Sequence, residues 1–202
     1  MGRHRAFDRD KVLMAAANAF RMHGYRDISI VELERATGLV SGSIYNAFGD
    51  KKGLFRAALE HYVHGFVAER IRRFAGSGAT IDDLEGLFLS VLEPPLADGF
   101  GCLVTNSIIE FGGESGSASE GIASTMTLLK QAFQDVLTRE LGADAAARST
   151  MQLITLYHGI LTLSRSGMPM AELTLAVHAT FAQLRAQRPN QPPLSRKKRT
   201  AT

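Results

Sequence analysis

The chain has 202 residues, one cysteine and a formal net charge of +3. That length suits one or two domains with room for a buried core, and no apolar run approaches the roughly 18 residues of a membrane-spanning helix. The single Cys102 excludes an internal disulfide and fits a reducing compartment.

Residues Met1 to Asp10 are charged and do not read as a signal peptide, so the cytoplasm is the expected location. The first helix is predicted from Asp8 to His23 and closed by Gly24. Val12, Ala16, Ala19 and Phe20 form its apolar stripe. A short helix opens at Ser29, whose hydroxyl can cap the first turn. Ile30 and Leu33 share its inner face, and Gly38 ends it where a left-handed backbone favours glycine. A second short helix, Ser41 to Phe48, turns Ile44 and Phe48 inward and presents Ser41, Ser43 and Asn46.

Gly49-Asp50 makes another turn, and Lys51 begins a long helix to about Phe74, with Phe55, Leu59, Tyr62 and Phe66 as its inner face. Gly76-Ser77-Gly78 breaks it. Thr80 caps the next helix, whose Asp82, Asp83 and Glu85 favour the positive dipole end. Pro94-Pro95 and Asp98-Gly99 bracket an irregular link. Further helices follow from Cys102 to Phe111, from about Ser119 to Leu141-Gly142, from Asp144 to Ser166 and from Met170 to Gln187.

Alternating β-branched runs are missing. The fold class is therefore all-α, with about nine helices. Three form a helix-turn-helix domain over residues 1–53, and six form a body over 54–187. A basic tail, 188–202, holds three prolines and reads as disordered. Charge follows this division. Residues 1–55 hold nine Lys and Arg against six Asp and Glu, residues 56–184 eight against fourteen, and residues 185–202 six against none. A basic amino end on an acidic body suits a nucleic-acid reader with a separate module.

The pattern Gly38-Leu39-x-x-Gly42-Ser43-Ile44-Tyr45-x-x-Phe48-x-x-Lys51-x-x-Leu54 resembles the signature of the TetR family of bacterial transcriptional regulators. It covers about the first quarter of the chain, and the helix count resembles the family as well. The resemblance implies a double-stranded DNA operator as partner, with Ser43, Tyr45 and Lys51 at positions that commonly touch DNA. Ser41, Ser43 and Asn46 project from the second short helix toward base edges or phosphates, and Ser29 and Gly42 complete the candidate DNA-binding set. Lys51 also stands at a helix start, where free N–H groups favour a phosphate. Arg3 and Arg5 precede the first helix, as a DNA-touching arm or as a solvated terminus.

Two positions depart from the family pattern. Val40 stands where a capping residue is usual, which shifts the reading helix to start at Ser41. Glu34 stands where the two helices meet, and its carboxylate must point outward or pair with Arg35 or Arg26.

The family's usual mechanism implies an effector pocket in the body, open to a small molecule or an electrophile. The candidates are Cys102, Asn106, Glu110, Phe111, Tyr157 and His158. Cys102, at a helix start, reads either as a reactive thiol or as a small buried hydrophobe. A homodimer through the last two helices is expected, because half-sites need paired readers and the family dimerises this way, although each of the following stripes taken alone also reads as packing within one chain. Leu153, Leu156, Ile160 and Leu163 form one stripe of the eighth helix, and Ile154, Tyr157 and Leu161 another. Leu173, Val177, Phe181 and Leu184 repeat along the ninth. His61 and His64 lack an obvious third metal ligand, and no cofactor is implied. No catalytic motif is present. The alternative is a small helical enzyme or carrier that uses a body cavity.

Overall fold

The computed structural model describes residues 7–94, 96–112 and 119–189. Within these residues the chain is helical, with turns between. Helix α1 (Arg9–His23) starts at Asp8, whose carboxylate accepts from the Lys11 N–H at 3.2 Å. It buries Val12, Leu13, Ala16, Ala17, Ala19 and Phe20. Helix α2 (Ile30–Thr37) opens with a reciprocal cap between Ser29 and Glu32 and ends at Gly38, which is left-handed at φ 71°. Helix α3 (Ser41–Phe48) follows.

The long helix expected from Lys51 to Phe74 is one continuous rod of two α-helical stretches around a wider turn. Helix α4 (Lys51–Tyr62) passes through a π-turn (Val63–Val67) into α5 (Ala68–Ala75). Such an inserted turn is often found at functional sites. Here it lies between the part of the rod that packs on α1 and the part that packs on the body. Counting that rod once, the described residues form nine α-helical units.

In the body, α6 (Ile81–Ser90) opens with a Thr80/Asp83 capping box. A 3₁₀ turn (Leu96–Asp98) sits within the irregular link. It leads to α7 (Leu103–Phe111), α8 (Ser119–Leu141), α9 (Ala143–Arg165) and α10 (Met170–Ala186). Phe88 of α6 is the hub. Its ring lies 5.5 Å from Phe133, 5.4 Å from Tyr157 and 5.1 Å from Phe181, so α6, α8, α9 and α10 meet on one aromatic cluster. Tilted and edge-on rings at such spacings add to the gain from burial alone.

This packing corrects the stripe assignment for the last two helices. Leu173, Val177, Phe181 and Leu184 are all buried within the single chain, as are Leu153, Ile154, Tyr157, Ile160 and Leu161. The repeat on α10 faces the protomer's own core. What the chain leaves outside is Leu163, the last residue of the first α9 stripe, together with Met151 on α9 and Leu175, 68% exposed, on α10. Ala171, Ala179 and Ala182 flank Leu175 on that exposed side. Among the described residues, no helix is long and apolar enough to cross a membrane.

Candidate nucleic-acid interface

Helix α3 is the exposed edge of the amino-terminal three-helix unit. Ile44 is fully buried and holds the helix down, while Gly42, Tyr45 and Asn46 are exposed and Ser41 and Ser43 half-buried. The polar residues singled out from the sequence therefore share one accessible surface, with Tyr45 48% exposed. A side chain added at Gly42 would meet no atom within 4 Å, so this glycine keeps the surface low. Ser29 lies at the start of α2. Its hydroxyl is committed to Glu32, donating to the carboxylate at 2.7 Å and accepting from the Glu32 N–H at 3.2 Å. The Ser29 backbone N–H, donating at 2.7 Å, and then its hydroxyl hold the Glu32 carboxyl below its usual range. Arg3 and Arg5 lie outside the described residues.

Val40 is the N-cap of α3 and offers no side-chain hydrogen bond. The missing partner comes from α2, because the Glu34 carboxylate accepts the Ser41 backbone N–H. The expectation that Glu34 points outward or pairs with Arg35 or Arg26 is thus corrected. The free N–H groups of a helix start need an acceptor, and the glutamate at the crossing of the two helices is the one in reach. The uncapped Val40 was the available sequence signal.

The turn into α4 depends on Gly53, whose role the sequence reading left unassigned. Its N–H donates to the Asp50 carboxylate at 2.6 Å, and a Cβ there would overlap the Phe48 carbonyl oxygen. Lys51, at the first turn of α4, lays its ammonium 5.0 Å from the centre of the Tyr25 ring and donates to the Arg26 carbonyl at 3.3 Å. Burial, with the nearby Asp50 and Glu110 carboxylates, raises the Tyr25 hydroxyl above its ordinary pKa. On the far side, the Arg9 guanidinium lies 4.9 Å from the centre of the Phe48 ring.

The six residues expected to form an effector pocket fall into different surroundings. Asn106, Glu110 and Phe111 of α7 lie against the end of α1 and the loop after it. Asn106 donates to the carbonyls of Arg21, at 3.1 Å, and Phe100, at 2.9 Å. Phe111 packs 5.4 Å from Tyr25 and 5.5 Å from Phe55. Arg21, itself buried, donates to Gly101 at 3.0 Å and pairs with Asp98. Partial burial works against the Asp98 anion, but the Arg21 bonds outweigh it and hold that carboxyl below its usual range. Cys102 is buried, and the Tyr62 hydroxyl donates to its sulfur at 3.6 Å. Tyr157 lies in the body core, where burial raises its hydroxyl pKa strongly. His158 bonds the Thr105 hydroxyl at 2.9 Å, and burial lowers its pKa.

Two cavities beside these residues have other linings. One, of about 280 Å³, is lined by Met14, Asn18, Arg21, Tyr62, Phe66 and Leu96, where α1 meets the π-turn. The other, of about 230 Å³, lies between α4 and α8, with Leu59, Val63, Glu120 and Gly121 among its walls. His61 lies 3.7 Å from Asp10 across the α1–α4 contact. Among the described residues, no three His, Cys, Asp or Glu side chains gather as a metal site.

An exposed polar helix on a glycine-hinged pair, carried by a larger helical body, is a helix-turn-helix arrangement. The family described as "Bacterial regulatory proteins, tetR family" matches residues 12–58. The HTH-type transcriptional repressor ComR of Escherichia coli K12 is 29% identical over 139 residues, which is 67% of this chain and 66% of ComR, just under two thirds of that relative. The fold matches CifR, a TetR family transcriptional regulator solved as a cysteine-substituted variant with 26-bp operator DNA. The TM-score is 0.72 at 27% identity, covering 90% of this chain and 98% of that one. A TetR family regulator from Cytophaga hutchinsonii shares the fold alone, with a TM-score of 0.76 at 17% identity over 93% of this chain and all of that one. Residues 12–58 thus match the TetR family's amino-terminal unit, and the chain as a whole has the fold of these TetR family regulators.

Proposed function

We propose that the chain is a DNA-binding transcriptional repressor that binds a palindromic operator as a homodimer and leaves it when an effector binds. The observation that carries this reading is the α3 surface. Gly42, Tyr45 and Asn46 stand free above a buried Ile44, and Lys51 flanks them at the start of α4. Short hydroxyl and amide groups suit base edges and phosphates, and a lysine at a helix start suits a phosphate. The operator complex of CifR supports the same partner for this chain.

Dimerisation through α9 and α10 is supported by the outward face that carries Leu163 and Leu175. Two helices from each of two subunits make a four-helix bundle across a twofold axis. The paired α3 helices would then enter successive major grooves about 34–36 Å apart. In this reading the domains divide at residues 53 and 187, as in the sequence analysis. The effector is a small molecule or a thiol-reactive compound acting on the region of Cys102, Asn106, Glu110, Phe111, Tyr157 and His158. It needs to favour the unbound form by only about 1–3 kcal/mol. A thiol-reactive trigger requires Cys102, so Cys102→Ser must abolish release by every oxidant or alkylating agent that releases the parent.

The deciding experiment is a mobility-shift titration with duplexes selected from a random library. The expected result is sequence-selective, salt-sensitive binding that Tyr45→Ala combined with Lys51→Ala removes. An intact protein that retains no duplex at low salt refutes the reading.

A further inference from the structure

One side chain of the body holds the loop between α1 and α2 with both of its oxygens. The two carboxylate oxygens of Glu110, on α7, accept the backbone N–H groups of two successive residues in the loop between α1 and α2: Tyr25 at 2.9 Å and Arg26 at 2.6 Å. The same two residues hold Lys51 from the other side. The Tyr25 ring lies 5.0 Å from its ammonium, and the Arg26 carbonyl accepts from it at 3.3 Å. The Tyr25–Arg26 segment is therefore a bridge with an acidic residue of the body on one side and a basic residue of the reader on the other. Gly24 admits the contact. Its φ of 80° is an angle that side-chain-bearing residues rarely adopt, and it turns the chain so that the next two N–H groups meet the carboxylate.

Helix α7 is in turn tied to the end of α9. Arg165 donates to the carbonyls of Arg21, at 2.8 Å, and Phe100, at 2.9 Å, the same two oxygens that Asn106 of α7 uses.

We propose that Glu110 is a positioning residue for DNA binding, which sets the Lys51 ammonium through the Tyr25–Arg26 segment. The proposal rests on the reading of Lys51 as a phosphate contact. An ammonium has three donor hydrogens. One is spent on the Arg26 carbonyl, which fixes where the other two point and leaves them for a phosphate. A shift of α7 along its axis withdraws the carboxylate, frees the loop and lets Lys51 wander. A change in the body is thereby felt at the DNA surface without any movement of α3 itself.

This role gives a result opposite in sign to that of plain electrostatics. Removing an anion near a DNA-binding surface should tighten binding if charge alone counts. Under the proposal, Glu110→Ala binds a duplex selected by the parent protein roughly fivefold to tenfold more weakly, the scale of one lost phosphate contact. Glu110→Gln, which keeps one acceptor oxygen, falls between. In a Lys51→Ala background, Glu110→Ala adds almost no further loss. A DNA-free measurement accompanies these. The rate of reductive methylation at Lys51, read by mass spectrometry against Lys130 on α8, rises severalfold in Glu110→Ala and less in Glu110→Gln. Equal or tighter binding by the Glu110 variants, additive losses in the double variant, or unchanged Lys51 labelling each overturn the proposal. A Lys51→Ala protein that binds as well as the parent overturns the phosphate reading along with it. That outcome is recognised by its presence in the single lysine variant, before Glu110 is touched.

Discussion

The Glu34 carboxylate on α2 accepts the backbone N–H of Ser41 and so caps the helix that follows it. A cap is usually local, supplied by the residue at the helix start. Here Val40 occupies that place and has nothing to give. The bond also ties the two helices of the reading unit across their turn. Glu34→Ala is expected to lower the unfolding free energy by about 1 kcal/mol, the ordinary worth of a cap, and to weaken operator binding. Glu34→Gln, which keeps an acceptor, should do less of both. Urea denaturation with matched affinity titrations checks this, and identical midpoints for all three proteins would contradict it.

Two glycines on the same unit should respond in opposite ways. At Gly53 a Cβ runs into the Phe48 backbone carbonyl, which cannot turn aside as a side chain could. Gly53→Ala should therefore destabilise the protein by about 1–3 kcal/mol, as overpacking does. At Gly42 a Cβ meets open space. Gly42→Ala should stabilise α3 by roughly 0.5–1 kcal/mol yet reduce DNA affinity, because the new methyl group stands on the contact surface. Thermal unfolding and mobility shifts on the two variants separate the effects. A Gly42→Ala protein that gains stability and keeps full affinity would place the DNA contact elsewhere.

Leu175 projects from α10 with 68% of its surface exposed, whereas Val177, two residues on, is fully buried. Leu175→Glu is expected to yield a folded monomer in sedimentation analysis, because a carboxylate buried against a partner helix would be unpaired. Val177→Ala is expected to lower stability while leaving the oligomeric state alone. If Leu175→Glu sediments as the parent does, the dimer surface lies on another face.

His158 should make the protein acid-sensitive. Burial lowers its folded pKa below the ordinary value of 6.5. The unfolded chain therefore takes up a proton near pH 6.5 that the folded chain resists. Stability is at its full value above that pH and declines as the pH falls below it. Melting temperatures between pH 7.5 and 5.5 should drop more for the parent than for His158→Gln, which cannot titrate. Parallel curves for the two proteins would remove His158 as the cause.

The helices and the reading surface were legible because they depend on short-range rules. Apolar residues at helical spacing marked the buried faces of α1 and α10, and Gly38 and Gly49 marked turns that need unusual backbone angles. The π-turn after Tyr62 was not legible, since Leu59, Val63, Val67, Ile71 and Ala75 recur every four residues straight through it and read as one continuous helix face. The stripe on α10 was visible, but its direction was not. An apolar row says that something covers it, and only the position of Phe88 shows that the cover is this same chain.

The amino-acid order by itself determined an all-helical chain with a glycine-hinged pair near its start and the polar groups that pair exposes, because residues three and four apart share a helix face whatever surrounds them. The tertiary structure decided which neighbours those groups found: Glu34 under Ser41, Tyr25 beneath Lys51, and Glu110 behind the loop that joins α1 to α2. Glu110 lies more than eighty residues from its partners along the chain. Only the packing of α7 against α1 brings its carboxylate within hydrogen-bonding distance of two backbone amides.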